Sequence, residues 1–302
     1  MSFLNPVNEP VLRFKSTDAG APQINYNART AGDVKAVLKA CLVTGYGSVA
    51  SAGWSVANEV NHVAEFVSPS AAMSDYRLGV DDTSTSSTTW YYQYQGARTN
   101  PPSNAIARKM NTIIGTSARN GWQLLVTDRG VILIEHAESS LVADLLGRVT
   151  YWGSLKSALA DGAGVNIAFW SAGLASPSVT PYDFFTPSKT NFKHYRLGAY
   201  GANLQLQSVN ILGLSRGITA IDTKTAVDLF ATLYLYSDSY LAAEQPCLIV
   251  GDVTNTPTYG VYDSVFLGRP VVSVCLAWDI ADASALSKTI RTMMIYLDNW
   301  EY

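Results

Sequence analysis

Charge, histidine and cysteine are all scarce in this sequence. Of its 302 residues, 21 are Lys or Arg, 24 are Asp or Glu, and three are His. Charged residues make up 15%, against roughly 25% in an average soluble domain. A formal net charge of −3 and a pI near 5.6 leave no basic footprint for a nucleic-acid backbone. There is no run of about 18 apolar residues that could cross a bilayer as a helix, so no membrane partner is expected. The opening Met1-Ser2-Phe3-Leu4-Asn5-Pro6 lacks a charged n-region and an apolar h-region, so no secretory signal is expected in it. Cys41, Cys247 and Cys275 form no CxxC pair, and Cys41 and Cys275 sit in apolar runs. They are expected to be free, buried thiols made in a reducing cytoplasm.

The groups that carry out catalysis are equally thin. Gly213-Leu214-Ser215-Arg216-Gly217 matches G-x-S-x-G. A nucleophile elbow, however, needs a helix after the serine and a His later in the chain. Ile218-Thr219-Ala220-Ile221-Asp222 reads as strand, and the last histidine, His194, precedes Ser215, so a turn between two strands is expected. His62-x-x-Glu65 and His136-x-Glu138 bring ligand types together, but neither forms H-E-x-x-H or has a partner cluster nearby. Asp81-Asp82 adjoin, so on a strand they would face opposite sides. At a strand end they are expected to organise the following Thr/Ser loop. No Walker loop is present, and Gly45-Tyr46-Gly47 lacks the third glycine of a dinucleotide fingerprint. The expectation is a protein with no enzymatic activity, metal or cofactor.

What the chain does have is packing material. Hydrophobic residues reach 48% and aromatics 11%, with 17 Tyr and 7 Trp, enough for a sizeable core without disulfides. A weakly charged, Ser/Thr/Tyr-rich surface suits broad contact with other protein, because few charges need desolvating. It also suits a plain β framework. A helix is expected over Asp33–Val43, with Val34, Val37, Leu38, Cys41 and Leu42 on one face, Thr30 as its cap and Gly45 past its end. A second helix is expected over Asn104–Gly115, with a stripe of Ile106, Met110, Ile113 and Ile114. The rest reads as strands. The clearest hairpin is Trp122–Thr127, the loop Asp128-Arg129-Gly130, and Val131–Glu135. Further strands are expected at Trp54–Val60, Val63–Val67, Tyr76–Val80, Trp90–Gln95, Leu204–Val209, Leu229–Tyr236, Cys247–Val250, Val271–Leu276 and Thr292–Leu297.

The fold class is therefore α+β and predominantly β. An N-terminal α+β domain with an antiparallel sheet and one or two helices spans residues 1–175. A Pro/Ser-rich linker spans 176–190, and a β-rich domain, a candidate sandwich, spans 191–302. Six residues stand out as interface or structural candidates: Trp54, Arg77, Asp81, Trp90, Tyr92 and Tyr94. On a strand, Trp90, Tyr92 and Tyr94 share one face, and Arg77 and Asp81 point to the same side of theirs. Such an aromatic stripe serves a core, a subunit interface or a sugar platform.

The order of motifs in the N-terminal half is similar to something known. Ser16-Thr17-Asp18-Ala19-Gly20-Ala21-Pro22 leads to a helix ending in Ala40-Cys41-Leu42-Val43-Thr44-Gly45-Tyr46-Gly47-Ser48. Ala52-Gly53-Trp54, Arg77-Leu78-Gly79-Val80-Asp81-Asp82 and Gly121-Trp122 follow. This resembles a family of tailed-bacteriophage virion structural proteins over about the first 155 residues, ranked by motif order. The chain departs from it at Trp152-Gly153-Ser154, where such relatives show Phe-Gly-Asp. The resemblance implies a virion component made in the host cytoplasm. Its partners would be other virion proteins and copies of itself, in the tail, neck or baseplate or on the head, and no catalytic residues would carry over. A tail-borne binder or degrader of host-surface glycans is the alternative.

Overall fold

The computed structural model describes residues 6–24, 30–74, 76–83, 88–95, 107–112, 121–136, 148–157, 166–172, 192–196, 204–205, 229–237, 240–254, 261–279 and 289–302. Strands β1 (Asn8–Pro10) and β2 (Leu12–Lys15) lead to helix α1 (Asp33–Lys39), which continues as a π-helical turn, Ala40–Thr44. Next come β3 (Ser55–Val60), β4 (Val63–Val67), β5 (Tyr76–Asp81), β6 (Thr88–Gln95) and β7 (Ala107–Thr112). They are followed by β8 (Gly121–Val126), β9 (Gly130–His136), β10 (Arg148–Ser154), β11 (Lys156–Ser157), β12 (Asn166–Ala172), β13 (Phe192–Arg196) and β14 (Leu204–Gln205). The remainder are β15 (Leu229–Ser237), β16 (Tyr240–Thr254), β17 (Val261–Phe266), β18 (Arg269–Asp279), β19 (Thr289–Tyr296) and β20 (Asn299–Glu301). The described residues thus form an α+β fold, mostly antiparallel β, with one helical segment.

The hairpin read from the sequence is the centre of the molecule. β8 and β9 pair from Gly121 with His136 to Val126 with Val131. They lie inside a seven-stranded sheet ordered β14-β13-β12-β10-β9-β8-β2. Every residue of β8 is buried, as are six of the seven in β9. A strand covered on both faces has no solvent side to alternate toward, hence the unbroken Val131-Ile132-Leu133-Ile134. One face contributes Trp122, Leu124, Val126, Val131, Leu133 and Trp152 to a first core. There they meet Val34, Val37, Leu38, Cys41 and Leu42 of the helical segment and Ala64, Phe66, Leu78 and Val80 of a second sheet. That second sheet is a five-stranded meander, β3-β4-β5-β6-β7.

The opposite face contributes Leu125, Ile132, Ile134, Val149 and Tyr151 to a second core. It is shared with Cys247, Val272, Val274, Met293 and Ile295 of the six-stranded sheet β11-β16-β19-β18-β17, on which β15 also pairs. The seven-stranded sheet thus has a core on each face, one shared with the helical segment and the five-stranded sheet and the other with the six-stranded sheet. The seven- and six-stranded sheets meet in this second core, which holds residues from before and after the expected linker. Leu155, Trp300 and Tyr302 belong to the same core. β1 pairs with β20, Asn8 opposite Glu301, which ties the two ends of the chain together.

Two local expectations are corrected. Within the expected helix Asn104–Gly115, the described residues Ala107–Thr112 are strand β7, paired with β6 from Thr88–Thr112 to Gln93–Ala107. Ladder hydrogen bonds offered by β6 override a stripe that also fits a helix. Thr30 is not the cap of α1. The cap position is Gly32, in the left-handed region at φ 96°, and Thr30 instead donates from its N and Oγ1 to the Asp33 carboxylate at 3.0 and 2.5 Å. The expected linker at 176–190 and the Gly213–Gly217 turn lie outside the described residues, and of Leu204–Val209 only β14 lies within them.

Candidate functional site

The motif residues of the N-terminal half meet in one knot beneath α1. Asp18 Oδ2 accepts from the Lys15 backbone N at 2.8 Å and from the Tyr46 hydroxyl at 2.8 Å. Burial and the carboxylate beside it push the Tyr46 hydroxyl well above its ordinary pKa. The Tyr46 ring stands edge-on to Trp122 with centroids 6.5 Å apart, and Trp122 Nε1 donates to the Pro22 carbonyl at 3.0 Å. Gly47, at φ 53°, lies so close to the other motif that a Cβ would sit 2.3 Å from the Ala19 carbonyl oxygen. Ser16–Pro22, Gly45–Ser48 and Gly121-Trp122 therefore spend their polar groups on one another.

Trp54, one of the six candidates, belongs to the same interior. It is buried in the first core, and its Nε1 donates to the Thr127 carbonyl at 3.4 Å. The other five gather on the five-stranded sheet. Register pairs Asp81 with Trp90, Gly79 with Tyr92 and Arg77 with Tyr94. Directly opposed positions of an antiparallel pair share a face, so these five positions fall on one side of the sheet. Tyr76, Leu78 and Val80, alternating with them on β5, are buried. On β4, Glu65 lies opposite Gly79 and is itself buried. Arg77 Nη1 donates to the Ser74 and Tyr76 carbonyls at 2.7 and 3.1 Å. Asp81 Oδ1 accepts from Thr83 Oγ1 at 2.6 Å and from Thr83 N at 3.2 Å, the loop-organising role expected of it.

Asp82 also reaches the helix, a contact that no spacing in the sequence signals. Fully buried, it accepts at Oδ2 from the Val34 N at 2.7 Å and at Oδ1 from Thr89 Oγ1 at 3.0 Å. It supplies the cap that Gly32, which has no side chain, cannot. On the outer side of α1, Glu59 of β3 bridges Lys35 and Lys39 at 2.8 and 2.7 Å, and these donors hold its carboxyl below the usual range.

Cys41 and Cys247 are buried and free, as expected, and burial raises both thiols far above their ordinary pKa, which makes them poor nucleophiles. Cys275 takes its place on β18. Among the described residues, no group of three or more His, Cys, Asp or Glu is placed to hold a metal ion, and no helix is long and apolar enough to cross a membrane. The geometry brings together an aromatic row with an Arg and an Asp on a sheet face, and it turns the N-terminal motifs inward. Comparison of the chain with protein-family models, curated proteins and solved structures gave no match.

Proposed function

We propose that this chain is a non-enzymatic structural component of a tailed-bacteriophage virion, built into the tail, neck or baseplate through symmetric contacts with copies of itself and with other virion proteins. One observation supports the reading most. The residues that carry the resemblance are spent on architecture: Asp18, Tyr46, Pro22 and Trp122 bond or stack with one another inside the fold. A family defined by such motifs is defined by a scaffold. A weakly charged surface suits a protein that meets neighbours over wide areas, and symmetric repetition lets modest contacts add up. Quantitative mass spectrometry of purified virions tests it. The expected result is this chain at a fixed copy number per particle; its absence from particles would overturn the proposal.

A second reading, a tail-borne glycan binder or wall-degrading protein, is favoured by the sheet face that sets Asp81 opposite Trp90 and Arg77 opposite Tyr94. Aromatic rings beside hydrogen-bonding groups are what a sugar surface offers its ligand. Glycan-array binding or muralytic activity that falls on Tyr92→Ala or Asp81→Asn would favour it, and silence in both assays would retire it.

A further inference from the structure

Among the described residues, strand β17 is the edge of its sheet. Among the described residues β18 is its one neighbour, and that pairing runs without a register shift from Val261–Val274 to Phe266–Arg269. Edge strands are ordinarily protected by charges, proline, bulges or brevity. β17 reads Val261-Tyr262-Asp263-Ser264-Val265-Phe266, with no proline and no bulge. Its one charge is already neutralised, because Arg13 of β2 donates to both Asp263 oxygens at 2.9 and 2.5 Å.

The turn that ends β17 adds an independent oddity. Leu267 and Gly268 form the two-residue loop to β18, with φ of 50° and 81°. Asn or Gly normally holds the first of these positions, and a leucine there is strained. Leu267 is nevertheless 84% exposed and Val265 71% exposed. Neither backbone geometry nor packing among the described residues accounts for leucine at that position.

We propose that β17 pairs antiparallel with β17 of a second copy of this chain, with the two-fold axis at Ser264. The segment is nearly symmetric about that residue. Such pairing sets Tyr262 opposite the partner's Phe266, and Val261 opposite the partner's Leu267. The strained, exposed leucine thus acquires an apolar neighbour at each end of the contact. Asp263 falls opposite the partner's Val265, so no like charges meet. An axis at Asp263 would instead oppose two carboxylates, which is unfavourable. An isologous contact needs this self-complementarity, and the free edge supplies its backbone hydrogen bonds.

Sedimentation of the purified full chain from about 1 to 100 µM, a range spanning weak dimerisation, tests the proposal with two variants. The unaltered chain is expected to pass from monomer to dimer over that range. Ser264→Lys sets two ammonium groups against each other on the axis and should weaken association at least tenfold. Leu267→Asn tolerates the left-handed turn, so it should weaken association several-fold while leaving the melting temperature equal or higher. A chain that stays monomeric throughout, or a dimer that both variants leave unchanged, would overturn it. The inference is independent of virion incorporation: a β17 dimer absent from particles would end the proposed function and leave this contact standing.

Discussion

Asp82 caps helix α1 from 48 residues downstream, its Oδ2 2.7 Å from the backbone nitrogen of Val34. The same side chain accepts from Thr89 at the start of β6, and the Asp82 backbone oxygen accepts from the Gly32 nitrogen at 2.9 Å. One buried carboxylate thus joins the helix to the β5–β6 corner, ahead of the sheet face that holds the aromatic row.

Removing that carboxylate leaves the Val34 N–H and the Thr89 hydroxyl without this acceptor in a buried site. Asp82→Ala is expected to cost about 2–3 kcal/mol, the range for lost caps and hydrogen bonds to charged groups. Asp81→Ala, one residue earlier, loses only a solvent-side turn and should cost less than about 1 kcal/mol. Urea unfolding of the two variants separates them. Equal midpoints would contradict the capping role.

Gly153 stands where the resemblance has its central glycine, and the structure gives it a reason. Its φ is 152°, and a Cβ there would lie 2.5 Å from the Arg129 carbonyl oxygen and 2.6 Å from the Cα of Gly130. Backbone cannot yield as a flexible side chain can, so Gly153→Ala should cost more than about 3 kcal/mol or prevent folding. Gly53 is the control. At φ 78° with nothing within 4 Å of a built Cβ, its alanine variant carries only the backbone term, about 1–2 kcal/mol. Soluble yield and thermal unfolding of the pair decide the matter.

Asp298 and Arg269 form a bidentate pair at 2.9 and 2.7 Å, and the guanidinium lies over the Tyr296 ring at 3.6 Å. The Arg269 hydrogen bonds hold the Asp298 carboxyl below its ordinary pKa. A group depressed in the folded state stabilises above its unfolded pKa, about 3.9, and that contribution is lost as pH falls through the folded value. Asp298→Asn should therefore cost about 1 kcal/mol at pH 7. The gap between variant and parent should close as the pH drops below about 4. A gap that is constant from pH 7 to pH 3 would show that the pair does not titrate this way.

The local pieces are legible along the chain. Apolar spacing marked a helix over Asp33–Val43, the helical segment runs Asp33–Thr44, and Gly45, at φ 75°, ends it as turn chemistry requires. The β8–β9 hairpin was legible because its strands and turn are contiguous and each carries its own signal. β7 was not: Met110 fits a helical stripe as well as a strand, and only the edge of β6 selects between them. Register between β5 and β6 placed the positions of Arg77, Asp81, Trp90, Tyr92 and Tyr94 on one face, a convergence of two segments that no spacing within either encodes.

The cap at Asp82 and the core that unites Leu125, Ile132 and Tyr151 with Cys247, Val272 and Ile295 likewise arise only in the tertiary structure. Helix periodicity and turn residues act over a few bonds, so they can be read along the chain. Sheet order, remote caps and shared cores depend on which surfaces exclude water together, and that is settled only once the whole chain has folded.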